Sequence, residues 1–342
     1  MKICIQECEE LGNYQGKYNV HVVKAMENLL GAVHRTPLQR SHTLDQLTGK
    51  DVYLKMENLQ RTGSFKLRGA FNKVSKLTDI EAARGIVAAS AGNHAQGVAL
   101  ASKGIKSKIF MPAHTPISKI EATQSYGAEI VLEGDSYNEA FKAAQEDQLK
   151  RGATFVHAFD DEDVMAGQGT IALEMMQQCP DLDTILVPVG GGGLLAGMAV
   201  AIREFFPHVK LIGVQAAEAS ATWNRFHKIG PDQLSSAKSI ADGISVKEPG
   251  QMTYPIIEDL VDDMVTVSEE RIASAIIFML QRQKTLVEGA GAASVAALLS
   301  GSIKGERIGA VISGGNADVE KISTYKKLSE EANKRGKKLK VI

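Results

Sequence analysis

Apolar residues along this chain alternate between compact runs and helical spacing. Runs of four to six residues at Val52–Met56, Gly85–Ser90, Lys108–Met111, Glu129–Leu132, Thr154–Ala158, Thr184–Val189, Leu211–Val214, Met264–Val267 and Ile308–Ile312 predict strands. Between them, helical spacing predicts helices over Val20–Val33, the stretch after Ala70 to about Leu77, the stretch after Asn93 to about Lys103, Ser118–Tyr126, Tyr137–Lys150, Ala166–Gln177, Leu194–Ile202 and Gly289–Leu299. Ser268, with Glu269 and Glu270 behind it, is placed to cap one more helix, running to about Gln283. Residues up to about Asn19 read as a loosely attached extension, and Ala216–Gly250 as irregular. Strands separated by helices of this length need crossover connections, so the pattern predicts an α/β fold with parallel sheets. Pro188 sits awkwardly in a buried strand, tolerable only because it lies near the strand's end.

Four glycines, Gly190, Gly191, Gly192 and Gly193, separate the Thr184–Val189 strand from the Leu194–Ile202 helix. Glycine loses the most backbone freedom on folding, so a run of four suits a turn that must approach something closely. A strand feeding a helix there aims unpaired N–H groups and the positive end of the helix dipole at one point, which suits a phosphate. A dinucleotide fingerprint fits only in part, since Leu195 replaces its third glycine and Gln215 its acid. A Walker loop would need Lys and Ser/Thr where Leu194 and Leu195 stand. A compact phosphate on a cofactor whose reactive part lies elsewhere fits better. Two other polar loops, Ser90–His94 and Ser313–Asn316, also fall at predicted strand ends, where ligands collect in such folds.

Composition narrows the class. The 342 residues are 44% hydrophobic and 23% charged with a net charge of −1, which marks neither a disordered chain nor a nucleic-acid binder. Thr184–Ile202 is a run of 19 uncharged residues, but Pro188 and the glycines make it a poor membrane helix. The N-terminus carries acids where a signal peptide needs an apolar core, so the chain reads as cytoplasmic. Three cysteines make no disulfide framework; Cys4 and Cys8 lack further metal ligands nearby, and Cys179 is expected to pack.

Lys66 lies between Phe65 and Leu67 after the tight approach Gly63-Ser64; it is either a solvated lysine or a desolvated amine freed for Schiff-base chemistry. The Ser90–His94 loop offers clustered N–H donors suited to a carboxylate, with His94 a packed or solvated ring. Ser313 is a single hydroxyl in a glycine-rich turn. Glu288 interrupts an uncharged stretch and is either exposed or paired.

Six stretches in one order, Lys55–Lys66, Ser90–Gln96, Ala166–Gly169, Gly190–Gly193, Ile240–Gly243 and Ser313–Asn316, together resemble the fold-type II pyridoxal-phosphate enzymes. Within these the likeness is to the serine/threonine dehydratases, above all the short catabolic threonine dehydratases, over about Leu30–Val319. The resemblance implies two open, mostly parallel twisted sheets flanked by helices, with the active site in a cleft between a large domain (1–75 and 163–342) and a small mobile one (76–162). It implies that Lys66 carries the pyridoxal 5'-phosphate as a Schiff base and shuttles the Cα proton. Phe65 would pack on the pyridine ring, Asn93 bond its 3-hydroxyl, and Gly190–Gly193 with Leu194 hold the phosphate. Ser90, Ala91, Gly92, Asn93, His94 and Gly243 would bind substrate, closing on its carboxylate. Ser313 would face the pyridine nitrogen, where a hydroxyl makes the cofactor a weaker electron sink than a carboxylate would. The implied reaction removes water from L-threonine, and from L-serine, to give 2-oxobutyrate or pyruvate and ammonia.

Serine racemases of this family, the competing reading, carry a second serine where Ala91 stands, so elimination is expected to dominate here. Gln215 and Ala221 occupy the places of the racemases' acidic divalent-cation ligands; the resemblance leaves room for a monovalent cation but not for that metal. The chain stops soon after Asn316 apart from a basic tail with Lys337 and Lys338, so no isoleucine-sensing regulatory domain is expected. Family membership further implies a homodimer or homotetramer, and AMP as an effector of catabolic members.

Overall fold

The computed structural model describes residues 16–334. The extension before Gly16, Cys4, Cys8 and the basic tail with Lys337 and Lys338 lie outside them.

The chain runs α1 (Val22–Asn28), β1 (Leu38–Arg40), α2 (His42–Thr48), β2 (Asp51–Lys55), α3 (Lys66–Val74), α4 (Asp79–Arg84), β3 (Ile86–Ala89), α5 (Asn93–Ala101), β4 (Ser107–Met111), α6 (Ile117–Gln124), β5 (Glu129–Leu132), α7 (Tyr137–Arg151) and β6 (Thr154–Phe155). It continues with α8 (Glu162–Gln178), β7 (Thr184–Pro188), α9 (Gly193–Phe205), β8 (Lys210–Ala216), α10 (Ala221–His227), α11 (Thr253–Leu260), β9 (Asp263–Val267), α12 (Glu269–Phe278), α13 (Gly289–Leu299), β10 (Arg307–Val311) and α14 (Ile322–Lys334). Local chemistry sets several boundaries. Ser136 and Glu139 form a reciprocal capping box at α7, as Thr78 and Glu81 do at α4, and Asp161 caps α8. Gly152 ends α7 in the left-handed conformation.

Two sheets result, with strand orders β1-β2-β10-β7-β8-β9 and β5-β4-β3-β6. Every pairing is parallel except β1 with β2. Both faces of the larger sheet are buried: Leu186, Val214 and Ala310 enter one apolar layer, while their neighbours Ile185, Val187 and Val311 enter the other. The smaller sheet repeats this, with Ile86, Ala88 and Ile109 on one side and Val87, Ala89 and Phe110 on the other. Pro188 occupies the last position of β7, paired with Val214, and is tolerated there. Cys179 packs against the layer holding Val187.

Several elements depart from the sequence pattern. β1, α2, α4, α10, α11 and α14 were not legible as regular structure. Ser268 stands at the start of α12 in extended conformation, but its hydroxyl makes no capping bond. The predicted helix to Gln283 ends in a π turn over Met279–Gln283, after which Lys284 is left-handed. Among the described residues, no helix is long and apolar enough to cross a membrane.

A fully buried ion cluster ties β2, α3 and α8 together. The Arg68 guanidinium donates to both carboxylate oxygens of Glu57 and both of Glu174, and Lys55 donates to Glu174 at 2.6 Å and to Gln178 at 2.9 Å. Two acids and two bases balance, so each buried charge keeps its partner. The result fixes the first turn of α3, which begins at Lys66.

Candidate active site

The carboxyl ends of β2, β3, β6, β7 and β10 face one cavity of about 1600 Å³. Its wall contains every residue singled out from the sequence: Phe65, Lys66, Ser90, Ala91, Gly92, Asn93, His94, Gly190–Gly193, Leu194, Gly243 and Ser313. Ligands gather at such strand ends because helix N-termini and short loops point there together.

The lysine reaches the cavity from the start of α3. The backbone around it is pinned to the loop after β10: Phe65 N–H donates to Ser313 O at 3.1 Å, Ser64 bridges to Gly314, and Gly315 N–H donates to Gly63 O at 2.9 Å. Lys66 Nζ donates to Ala158 O at 2.7 Å and lies 5.2 Å from the centre of the Phe65 ring. Burial strips the ammonium of water and pushes the amine down to about 8, against a small opposing pull from Glu288. A substantial neutral fraction near neutrality is what carbonyl attack requires.

The glycine run forms a tight cup. Gly192 is left-handed at φ 94° and caps α9, and any Cβ on Gly191 or Gly193 would strike Phe159 within 2.5–2.9 Å. The first turn of α9 leaves its N–H groups without intrahelical acceptors. Each such donor to an anion contributes about 1.5–3 kcal/mol. No basic side chain is required.

Across the cavity, Ser90–Gly92 lead into α5, whose first turn likewise presents free N–H groups at Asn93 and His94. His94 is buried, and its Nε2 lies 2.8 Å from Val156 O; burial drives the ring down to about 3, so it stays neutral and Nε2 carries the proton. Nδ1 is then a bare lone pair, buried without a partner among the described residues. Asn93 is held from two sides: its Nδ2 donates to Glu288 Oε1 at 2.6 Å, and its Oδ1 accepts from Asn316 Nδ2 at 2.7 Å. Gly243 leaves room beside Asn93 and Ala290. The Ser313 side chain is buried at the cavity wall and makes no hydrogen bond within the described chain.

Glu288 is the residue the sequence left open. It is buried, and desolvation pushes its carboxyl up to about 7, reinforced by Asp242. The lone acid in an uncharged stretch was the only signal it gave. Gln215, by contrast, is committed elsewhere: its Oε1 accepts from Trp223 N–H at 2.8 Å, and Ala221 starts α10.

A buried, deprotonable lysine between an anion cup of bare backbone and a second ring of N–H donors defines a site for a phosphorylated aldehyde cofactor. Sequence comparison agrees: residues 29–314 match the model of the pyridoxal-phosphate dependent enzyme family, and the chain belongs to that family. Among its relatives, the L-threonine ammonia-lyase of Thermotoga maritima is 49% identical over 304 residues, covering 88% of this chain and 76% of that protein. The L-threonine dehydratase catabolic TdcB of Escherichia coli is 45% identical over 308 residues, covering 88% and 94%. Of solved structures, the processed form of threonine deaminase isoform 2 from Solanum lycopersicum superposes with a TM-score of 0.87 at 35% identity, covering 94% of this chain and 89% of that one. The two-sheet α/β architecture is therefore that of the fold-type II pyridoxal-phosphate enzymes.

The residues present fit that cofactor. The cup closes to anything bulkier than glycine, the lysine is desolvated, and Ser313 offers an uncommitted hydroxyl.

Proposed function

We propose that this chain is a pyridoxal-phosphate-dependent threonine ammonia-lyase that removes water from L-threonine, and from L-serine, releasing 2-oxobutyrate or pyruvate and ammonia. When bound, the cofactor supplies an electron sink for negative charge at the substrate α-carbon. The observation that carries the reading is the Lys66 amine, desolvated beside an anion cup at the strand ends.

Lys66 Nζ would hold the cofactor at its aldehyde carbon, and as a desolvated amine it would take the substrate α-proton. Gly190–Gly193 and Leu194 would hold the phosphate through main-chain N–H groups, an anchor independent of Lys66. Phe65 supports the ring, and Asn93, braced by Glu288 and Asn316, orients its 3-hydroxyl. Ser313 meets the ring nitrogen as a neutral partner. The N–H groups of the Ser90–His94 loop take the substrate carboxylate beside Gly243, and neutral His94 adds no competing positive charge there. In this reading residues 76–162 form a mobile small domain that closes over substrate and excludes water.

Ala91 favours elimination over racemisation, because a methyl group there cannot relay a proton to the opposite face of the substrate. Assembly as a homodimer or homotetramer, and a response to AMP, belong to the same reading through family likeness.

The test is to assay 2-oxobutyrate from threonine and pyruvate from serine side by side, with Lys66→Ala as control and chiral analysis of residual serine. The expected result is both 2-oxo acids, at least a thousandfold loss in Lys66→Ala, and little D-serine. Enantiomer exchange faster than pyruvate formation would replace this reading with serine racemase.

A further inference from the structure

The anion cup is built from peptides that nothing in their own sequence holds in place. Gly191 and Gly192 flank a trans peptide, and with no Cβ on either side that unit rotates at little cost. Its orientation decides the sign of what the cavity sees. In a trans peptide the C=O and N–H point in opposite directions, so one of the two faces the bound anion.

The structure shows what fixes it. Thr253, at the first position of α11, is fully buried and absent from the cavity wall, and its hydroxyl donates to Gly191 O at 2.7 Å. That bond holds the carbonyl toward a side chain off the cavity wall, and in a trans peptide the Gly192 N–H then lies on the opposite side. Thr253 is held in turn by Asp160, whose carboxylate accepts from the N–H groups of Gln251 at 3.0 Å, Met252 at 2.8 Å and Thr253 at 3.1 Å. The packing leaves no slack: a Cβ on Gly192 would sit 2.8 Å from the Thr253 hydroxyl, and one on Gly250 would sit 2.5 Å from both that hydroxyl and Asp160.

We propose that Thr253, seated by Asp160, is the positioning residue that locks the Gly191–Gly192 peptide with its N–H toward the cofactor phosphate. This rests on the pyridoxal-phosphate reading above. Without the hydroxyl, Gly191 O loses its buried donor, and rotation of the peptide would bring a carbonyl oxygen against the phosphate. Substrate chemistry at Lys66 is not touched directly, so the effect falls on phosphate recognition.

The experiment measures dissociation constants of pyridoxal 5'-phosphate and of phosphate-free pyridoxal, by visible absorbance and equilibrium dialysis, for the parent, Thr253→Val, Thr253→Ser and Asp160→Asn. Thr253→Val is expected to weaken pyridoxal-phosphate binding about tenfold while pyridoxal binding stays within twofold. Thr253→Ser should restore the parent value. Asp160→Asn, half-buried on the cavity wall but outside the glycine run, should show the same phosphate-selective loss at about three- to fivefold, opposite to the gain that removing a wall carboxylate would give an anion, and it carries the test should Thr253→Val not fold. Parent-like phosphate binding in the variants, or equal loss of both aldehydes, overturns the proposal. A parent protein that binds neither aldehyde overturns the underlying cofactor reading instead, so the two failures are distinct.

Discussion

At Lys66 and Glu288 the same burial acts on groups of opposite charge, and the two leave separate marks on pH dependence. In the cofactor-free chain Glu288 titrates near 7 instead of its ordinary 4.5. Between those values the folded state holds a proton the unfolded chain has released, so stability falls as pH rises through that window. Lys66 titrates near 8 instead of 10.5, and between those values the unfolded chain holds the extra proton, so stability rises with pH. Denaturant titrations of the cofactor-free protein across pH 4–11 should show Glu288→Gln flattening the acid limb and Lys66→Met the alkaline limb; profiles parallel to the parent would contradict the burial argument. Lys66 was legible in the sequence because a recognisable stretch, Lys55–Lys66, leads into it. Glu288 was not, because its state is set by burial in the folded chain and its hydrogen-bond partner, Asn93, lies 195 positions away. Thr253 and Asp160 were invisible for the same reason: they act through main-chain groups brought together across 93 positions, and backbone acceptors leave no mark on residue type.

Strand and helix periodicity recovered nine of the strands because most are continuous apolar blocks with buried side chains; β5 and β6, with none buried, were legible from their apolar runs alone. The missed elements lack that signature: β1 is a three-residue edge, and α2 and α10 are two turns long with few buried residues. The π turn after α12 escapes any 3.6-residue pattern. Two elements support specific predictions. At the β7–α9 turn, Gly193→Ala would place a Cβ 2.8 Å from Phe159 O, a backbone atom that cannot swing aside. Cofactor affinity should fall at least tenfold, read by dialysis and visible absorbance. At α3, Arg68→Met strands Glu57 as a buried charge and leaves Glu174 with Lys55 alone, which costs about 3–5 kcal/mol in comparable cases. Denaturant unfolding should register that loss, with cofactor affinity weakened as the Lys66 turn loosens.

For the molecule as a whole, two sheets with their own apolar layers meet around a large cavity with a mixed polar and apolar wall, and the site draws residues from both sides. Cofactor at a hundredfold excess over its dissociation constant adds about 2.7 kcal/mol, which corresponds to roughly 4 °C in melting temperature for a chain of this size. Removing pyridoxal phosphate should lower the melting temperature by that amount, and Lys66→Ala should show a smaller rise on adding it back. The fold class followed from alternation alone. That three polar loops share one cavity followed only from the rule that ligands sit at strand carboxyl ends, and the residues bracing those loops required coordinates.

The central claim is that one amine, Lys66 Nζ, carries the cofactor. Borohydride reduction of the purified holoprotein followed by peptide mass mapping tests it most directly. The account predicts a single pyridoxyl-phosphate adduct on the peptide containing Lys66, absent in Lys66→Ala. An adduct on another lysine, or none in protein that still turns over threonine, would contradict it.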